Sequence, residues 1–476
     1  MRNRFLLCIA FACTQLGLAN ASDFDAERLE RRAYESALWG QAIVAGNEMI
    51  EGGIAAGQKL NQVAFFSRPP NWKFQQPTPN NSTLYVQLIY DVKEGPVVVE
   101  IPPTEGSFSV FGTFLDVWQR PVVDVGAGGD DKGKGARYFL YNARDPKITV
   151  PDGFLSVPLH TYRGYGTFRV ITPDLEEKTL ESAVDYIKKG FQQYPYGSDE
   201  RHPHMDIYDK KYSSLFPWDH TYFHRLQKVI NYEEVREEDK YAMGMLSSIG
   251  IDRGGSFDPD EKTRAVLDDV MKGVHEELQH LLRTIPPRRW GDKTQWTQPV
   301  ADSMISTMMT YKDENKVYID DRAFTYYTYI SPPVKLGSST AYLMLTKDAD
   351  GEPLKGDRNY TLTVPADVPA EQFRNYTLTV PADVPAEQFW SVLVYDVATA
   401  SYIRQADPIG LASSEDPKMN DDGTFTIYFG PEQLNNGVNY LPTGNADDYF
   451  LLFRFYGPEE AYNNNSWMLN DMMKKP

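Results

Sequence analysis

Apolar positions divide the chain into blocks of different period. From Leu84 to Thr172 they come in short runs, TLYVQLIYDV, GPVVVEIPP, SFSVFGTFLDVW, ARYFLY and FLSVPLHTYRGYGTFRVI, broken by Gly, Pro and Asp. Runs of this length and spacing predict the strands of an antiparallel sandwich. The period then lengthens to that of a helix in LEEKTLESAVDYIKKGF and, most clearly, in DPDEKTRAVLDDVMKGVHEELQHLLRTIPP. There Val266, Val270, Val274 and Leu278, with Leu267, Met271 and Leu282 beside them, form one broad apolar stripe. Asp258 followed three residues later by Glu261 reads as a capping box with Pro259 in the first turn, and Pro286-Pro287 stops the helix. From about Ala323 the β-pattern returns and runs to Trp467 through AYLMLT, NYTLTVP, FWSVLVYDV, GTFTIYFG and YFLLFRFYG. Before all of this, a helix with Leu29, Ala33, Ala37 and Ile43 near one face leads into a proline-rich passage, Arg68 to Pro79.

The pattern predicts a mainly β chain with helical segments: two antiparallel β-sandwich domains joined by a helical bridge. The expected boundaries are 22–64 for the first helix, 65–175 for one sandwich, 176–322 for the bridge and 323–476 for the other sandwich. No strand–helix alternation of the nucleotide-binding type is present.

Residues 1–21 read differently. Arg2 and Arg4 precede an apolar stretch, Phe5 to Ala12, and a small-residue Ala19-Asn20-Ala21 end, the layout of an export signal cut after Ala21. The expected location is periplasmic or secreted. Both cysteines, Cys8 and Cys13, lie in that segment, so the mature chain has no thiolate for a disulfide, a metal or a nucleophile. Loss of two Arg moves the formal charge from −18 to −20, which disfavours a nucleic-acid partner. The apolar run is too short for a membrane span.

Several motifs come close to a chemistry. GGDDKGKG, Gly128 to Gly135, matches a phosphate loop up to Lys134 but has Gly135 where magnesium needs Ser or Thr, so a turn between strands is expected. HEELQH, His275 to His280, is one residue too long for the zinc-protease spacing, and His275 is expected in the core beside the stripe. His202, His204, His220 and His224 fall within 23 positions and form an alternative set for one divalent, zinc-like ion; otherwise no cofactor is expected. No nucleophile elbow is present. The 30 Tyr and 24 Phe supply either β-core or a stacking surface for a sugar or an arene.

PNNSTLYVQLIYDVKEGPVVVEIPP, LDVWQ, GGDDKGKGARYFL and VPLHTYRGYGTFRVI resemble domain of unknown function 1254. IGIDRGGSFDPD, DADGEPLKGDRNYTLTVPADVPAEQF, FWSVLVYD, DDGTFTIYFGPE, NYLPT and FRFYGPEEAYNNNSW resemble domain of unknown function 1214. The resemblance covers roughly residues 60–470 and implies two jelly-roll-like sandwiches without a settled activity. Among the family-like positions, Tyr85, Asp116, Trp118, Arg169, Tyr395, Arg454 and Trp467 are the expected ligand-binding set. The leading expectation is a small-molecule or saccharide binder, with a hydrolase or lyase and a structural or assembly protein as alternatives. One departure stands out. Arg358–Phe373 is repeated without change as Arg374–Phe389, where the family pattern needs one copy, entered through Asp357 and left through Trp390. The expectation is that one copy takes the native strand.

Overall fold

The computed structural model describes residues 6–329, 332–334, 340–364, 389–415, 417–421, 423–431, 438–456 and 458–474, with side chains from Asp25 onward. Within them the chain is α+β, with two sandwiches as the sequence predicts. The first is built from β1 (Val63–Phe65), β2 (Phe74–Gln75), β3 (Leu84–Asp91), β4 (Val97–Ile101), β5 (Ser109–Asp116), β6 (Pro121–Val125), β7 (Ala136–Asn142), β8 (Leu155–Leu159) and β9 (Arg163–Ile171). Three further strands, β10 (Gln192–Pro195), β11 (Met205–Asp206) and β12 (Tyr212–Ser213), follow helix α2 (Glu177–Gly190). A six-stranded sheet, β11-β1-β3-β9-β5-β6, faces a four-stranded one, β10-β4-β7-β8. The first sandwich thus extends past the expected boundary at 175. QQYP and the two-residue strands carry too little apolar alternation to be read as strands, and they sit at sheet edges where partners already exist.

The stretch β3 shows why one strand can be apolar throughout. Leu84, Val86, Leu88 and Tyr90 point into the sandwich with Phe114, Tyr138 and Phe168, while Tyr85 and Ile89 pack outward against the helical layer. A sheet covered on both faces loses its polar alternation.

That layer is centred on α1, which runs from Leu6 to Ala55, 50 residues and about 75 Å at the usual rise. It packs against α3 (Thr221–Tyr232), α4 (Lys240–Ser247), α5 (Glu261–Thr284) and α7 (Ile319–Thr328); a short α6 (Asp302–Ser306) precedes α7. From Ser36 to Asn47 every residue of α1 is buried, so this part is a central rod with no polar face. Two expectations are corrected here. The α5 cap is Asp260, whose side chain accepts from the Thr263 amide, while Asp258 lies outside and pairs with Arg264. The run from Ala323, read as β, is α7: its Tyr and Thr are buried all round against α1 and α5, and tertiary cover overrides their strand preference.

The second sandwich uses β13 (Thr340–Leu345), β14 (Tyr360–Val364), β15 (Trp390–Asp396), β16 (Gly410–Ala412), β17 (Phe425–Gly430), β18 (Asn439–Pro442), β19 (Tyr449–Tyr456) and β20 (Met473–Lys474). Its sheets are β13-β19-β15-β16 and β18-β17-β14-β20. The first copy of the repeat supplies β14, in the middle of its sheet. The second copy lies outside the described residues except for its last residue, Phe389, which stacks on Tyr456 at 4.2 Å just before β15. GGDDKGKG is a turn between β6 and β7, closed by the Gly126 amide donating to Asp131 at 2.7 Å, as expected of a strand connection.

Candidate functional site

One cleft, about 320 Å³, lies where α1, the β5–β6 turn, α4 and α7 meet. Its geometry starts from Gly46. A Cβ there would lie 2.0 Å from the Val117 carbonyl, so only glycine lets α1 reach the β5–β6 turn. At that turn Gln119 adopts φ 62, a strained conformation for a side-chain-bearing residue. Tertiary hydrogen bonds hold it: Nε2 donates to Ala42 O at 2.9 Å, and Oε1 accepts from the Tyr165 hydroxyl at 2.9 Å. The Gln119 carbonyl accepts from the Tyr326 hydroxyl at 2.8 Å. Trp118 is thereby fixed facing Trp39, with ring centres 5.2 Å apart at 70°.

Around this indole stand guanidinium groups. Arg236 lies 4.2 Å from the Trp118 ring centre and Arg322 lies 5.1 Å from it, both cation–π distances. Arg236 is clamped by Asp239 and Glu238, and Arg120 by Asp116 at 2.7 Å. Arg322 is different. It is buried, its Nη2 donates to Trp39 O at 2.8 Å, and its Nε has no hydrogen-bond partner among the described residues. No ion pair with a carboxylate holds it among those residues. Burial, then the Arg236 charge, pulls its pKa down to about 10, with Asp239 and Tyr326 opposing this only in part, so it remains protonated at neutral pH. Burial pushes the Glu238 carboxyl up, but Lys312 and Arg236 more than offset this and hold it below its ordinary value. Among the described residues, five cationic side chains (Arg32, Arg120, Arg236, Lys312, Arg322) face three acidic ones (Glu35, Glu238, Asp239) in a chain whose net charge is −18. Ala242, Met245, Val317 and Ile319 make the remaining wall apolar. On one side, Met308, Met309 and Tyr311 all have positive φ, a concentration of backbone strain typical of functional loops.

Four other residues expected to bind ligand come together elsewhere, at the junction of the two sandwiches. Arg454 donates through Nη2 to Thr78 O at 3.2 Å and Pro79 O at 3.3 Å, and the Tyr395 hydroxyl donates to Pro79 O at 2.5 Å. Arg169 lies 5.6 Å from the Tyr85 ring centre, and its Nε donates to the Tyr85 hydroxyl at 3.4 Å. Burial works against the charge on both arginines, but the surrounding tyrosine oxygens more than offset it and their pKa values stay high. The arrangement is a clasp in which the loop before β3 is gripped by β15 and β19. Trp467 stands apart, buried against Trp290 and Phe455. The expected set is thus divided: Asp116 and Trp118 at the cleft, Tyr85, Arg169, Tyr395 and Arg454 at the clasp, and Trp467 in the core.

The histidines do not converge. His204 bonds to Phe191 O at 2.7 Å, His202 lies 3.7 Å from Glu200, and His220 bonds to Asp268 at 2.9 Å. Only His220 and His224 are neighbours, and among the described residues no three His, Cys, Asp or Glu side chains are grouped to hold a metal. His275, expected in the core, is instead half-buried and bonded to Ala398 O at 2.7 Å on the wall of a second cleft. Sequence reasoning passed over Arg236 and Arg322. The signal for Arg322 was a cation inside the aromatic run DDRAFTYYTY.

The family models for "Protein of unknown function (DUF1254)" and "Protein of unknown function (DUF1214)" match residues 60–195 and residues 339–374 plus 373–460, respectively. The second match breaks at the join between the two copies of the repeat. No curated protein matches the chain. Among solved structures, the VPA0106 protein from Vibrio parahaemolyticus is similar over 94% of this chain and 100% of its own, with a TM-score of 0.53 and 16% identity, which shows a shared fold. An uncharacterised protein from Burkholderia cenocepacia aligns over 97% of this chain and 98% of its own, at a TM-score of 0.41 and 11% identity. The ordered pair of matches and the paired sandwiches settle the family: the chain belongs to the group of proteins in which domain of unknown function 1254 is followed by domain of unknown function 1214.

Proposed function

We propose that the protein is an exported, jelly-roll-like binding protein that takes a small organic acid in the arginine cleft, carboxylate towards Arg322 and apolar body against Met245, Val317 and Ile319. The observation that carries this reading is Arg322, a buried guanidinium that among the described residues has no ion-paired carboxylate and no partner for its Nε–H, at a cleft whose described lining is net cationic in an acidic protein. A bound carboxylate supplies a directly bonded counter-charge, and charge-assisted hydrogen bonds of this kind are the strong ones. Trp118 acts as a positioning residue, holding Arg236 and Arg322 over its ring.

The test is calorimetric titration of the purified chain with benzoate, phenylacetate, hexanoate and glucuronate. At least one acid binds saturably at one per chain. Affinity falls with added salt and falls about tenfold or more in Arg322→Met, and in Arg32→Ala if the buried substitution impairs folding. Absence of binding by all four acids, or binding indifferent to both substitutions, overturns the assignment.

A further inference from the structure

A second cleft, about 390 Å³, opens on the other side of α7, between the helical layer and the 398–404 hairpin of the second sandwich. Tyr326 lines both clefts, but their chemistry differs. Among the described residues this one contains no acidic side chain, and its one fully charged residue, Arg404, is exposed. Its wall is aromatic. The Trp218 indole lies parallel to the His275 ring, 4.5 Å away at 4°, with Tyr327 edge-on at 5.8 Å and Phe216 tilted at 5.1 Å. Burial lowers the His275 pKa, so at neutral pH this wall carries no charge. The Ala398 carbonyl can only accept, which places the His275 proton on Nε2 and leaves Nδ1 as an acceptor.

Two buried polar groups on the same wall lack partners. Gln41 is 2% exposed and its Nε2 donates to Tyr326 O at 3.4 Å, yet its Oε1 accepts nothing among the described residues. Ser214 is 4% exposed and its hydroxyl is likewise unpaired. Buried polar groups are normally satisfied, and an orphan acceptor beside a cavity asks for a donor from whatever fills it. Glutamine Oε1 accepts only, so the occupant must bring N–H or O–H groups. An aromatic wall favours a flat face of C–H groups. The volume lies at the small end of ligand sites, about thirteen waters' worth at roughly 30 Å³ each, or one to two pyranose rings.

We infer that this cleft is a binding site for a neutral saccharide, separate from the acid site. Hydroxyls donate to Gln41 Oε1 and exchange hydrogen bonds with Ser214, while the ring face lies on the Trp218–His275 wall and the exposed Arg404 donates to ring-oxygen or hydroxyl acceptors at the mouth.

The test uses the full chain and four neutral probes, glucose, N-acetylglucosamine, cellobiose and maltose, followed by saturation-transfer NMR and calorimetry. At least one binds saturably with Kd of about 1 mM or tighter. Trp218→Ala and Ser214→Ala each weaken it by about tenfold or more, whereas Arg32→Ala, on the rim of the other cleft, leaves it unchanged. Ser214→Ala removes one hydroxyl and is the variant to rely on should the Trp218 change impair folding. Saturable binding by none of the four sugars, or binding that survives both substitutions, overturns the inference. Sensitivity to Arg32→Ala equal to that of the acids would also overturn it, since the sugar would then occupy the other cleft.

Discussion

Replacing Gly46 by alanine isolates the contact on which the arginine cleft depends. In an exposed helix the change is favourable by about 1 kcal/mol, because glycine pays more backbone entropy. At position 46 the new Cβ would meet Val117 O at 2.0 Å and Gln119 Cγ at 3.0 Å. The first distance falls about 1.4 Å short of ordinary contact, and its partner is backbone within a sheet corner, which cannot rotate away. The helix is enclosed on all sides there, so relief requires a shift of α1 or of the turn. Overpacking of this kind costs about 1–3 kcal/mol, and backbone contact puts it at the upper end, leaving a net loss of about 2 kcal/mol. Gly244 on α4 gives the matched control: it is exposed, and a Cβ there meets nothing within 4 Å, so Gly244→Ala gains up to about 1 kcal/mol. Urea unfolding of both variants, followed by tryptophan fluorescence and far-ultraviolet dichroism at unchanged m, reads the two signs directly. Gly46→Ala should also weaken acid binding, because Trp118 moves with the turn. A Gly46→Ala midpoint at or above that of the parent refutes the docking argument.

Glu233 gives a pH dependence. It is buried, accepts from the Tyr162 and Arg163 amides at 2.7 and 3.0 Å, and burial raises its carboxyl to about 7. Because the folded value lies above the unfolded one, both states are protonated below about pH 4.5; as pH rises to about 7 the unfolded state ionises first, and up to about 3 kcal/mol of stability is lost. Glu233→Gln should abolish that difference between about pH 5 and pH 8 in urea melts, and an unchanged slope would contradict it. Gln119→Ala removes the hydrogen bonds to Ala42 O and from the Tyr165 hydroxyl and should cost about 1–3 kcal/mol; Gln119→Gly should cost about 1 kcal/mol less, because glycine carries no strain at positive φ, in the same assay. Removal of one copy of the repeat shortens the link between Val364 and Trp390 from 25 residues to 9, which should leave the fold intact and stabilise it by about 1 kcal/mol in thermal and urea melts.

The strands of both sandwiches were legible because their residues answer to a local rule, short β-branched and aromatic runs between turn residues. The stripe on α5 was legible for the same reason: Leu267, Val270, Met271, Val274, Leu278 and Leu282 are all buried. The start of α5 was misplaced by two residues because Asp258 and Asp260 are both chemically able to cap, and only the packed geometry selects between them. Residues 323–328 were misread because Tyr and Thr favour strands unless a neighbouring helix covers them, and that neighbour is α1, nearly 300 residues away. The cleft was half legible. Trp118 and Asp116 sit in a recognisable motif, whereas Arg236 and Arg322 acquire meaning only when α4 and α7 are folded against that motif. A residue's chemistry is written locally, but its lack of a partner is not.

The buried rod of α1 has a consequence for the order in which the protein can be made. Its bonds to α7, Arg322 to Trp39 O and Gln41 to Tyr326 O, span 283 and 285 residues. At about 5–20 residues per second of synthesis, the rod emerges and then waits roughly 15–60 s for the helix that closes over it. Throughout that interval Ala37, Trp39, Ile43 and Val44 lack their final cover, and contacts this distant are slow to form even once the chain is complete. The rod leaves the ribosome well before the elements that cover it and is therefore among the last to be enclosed, and nascent chains halted before residue 320 should be held by chaperones through α1.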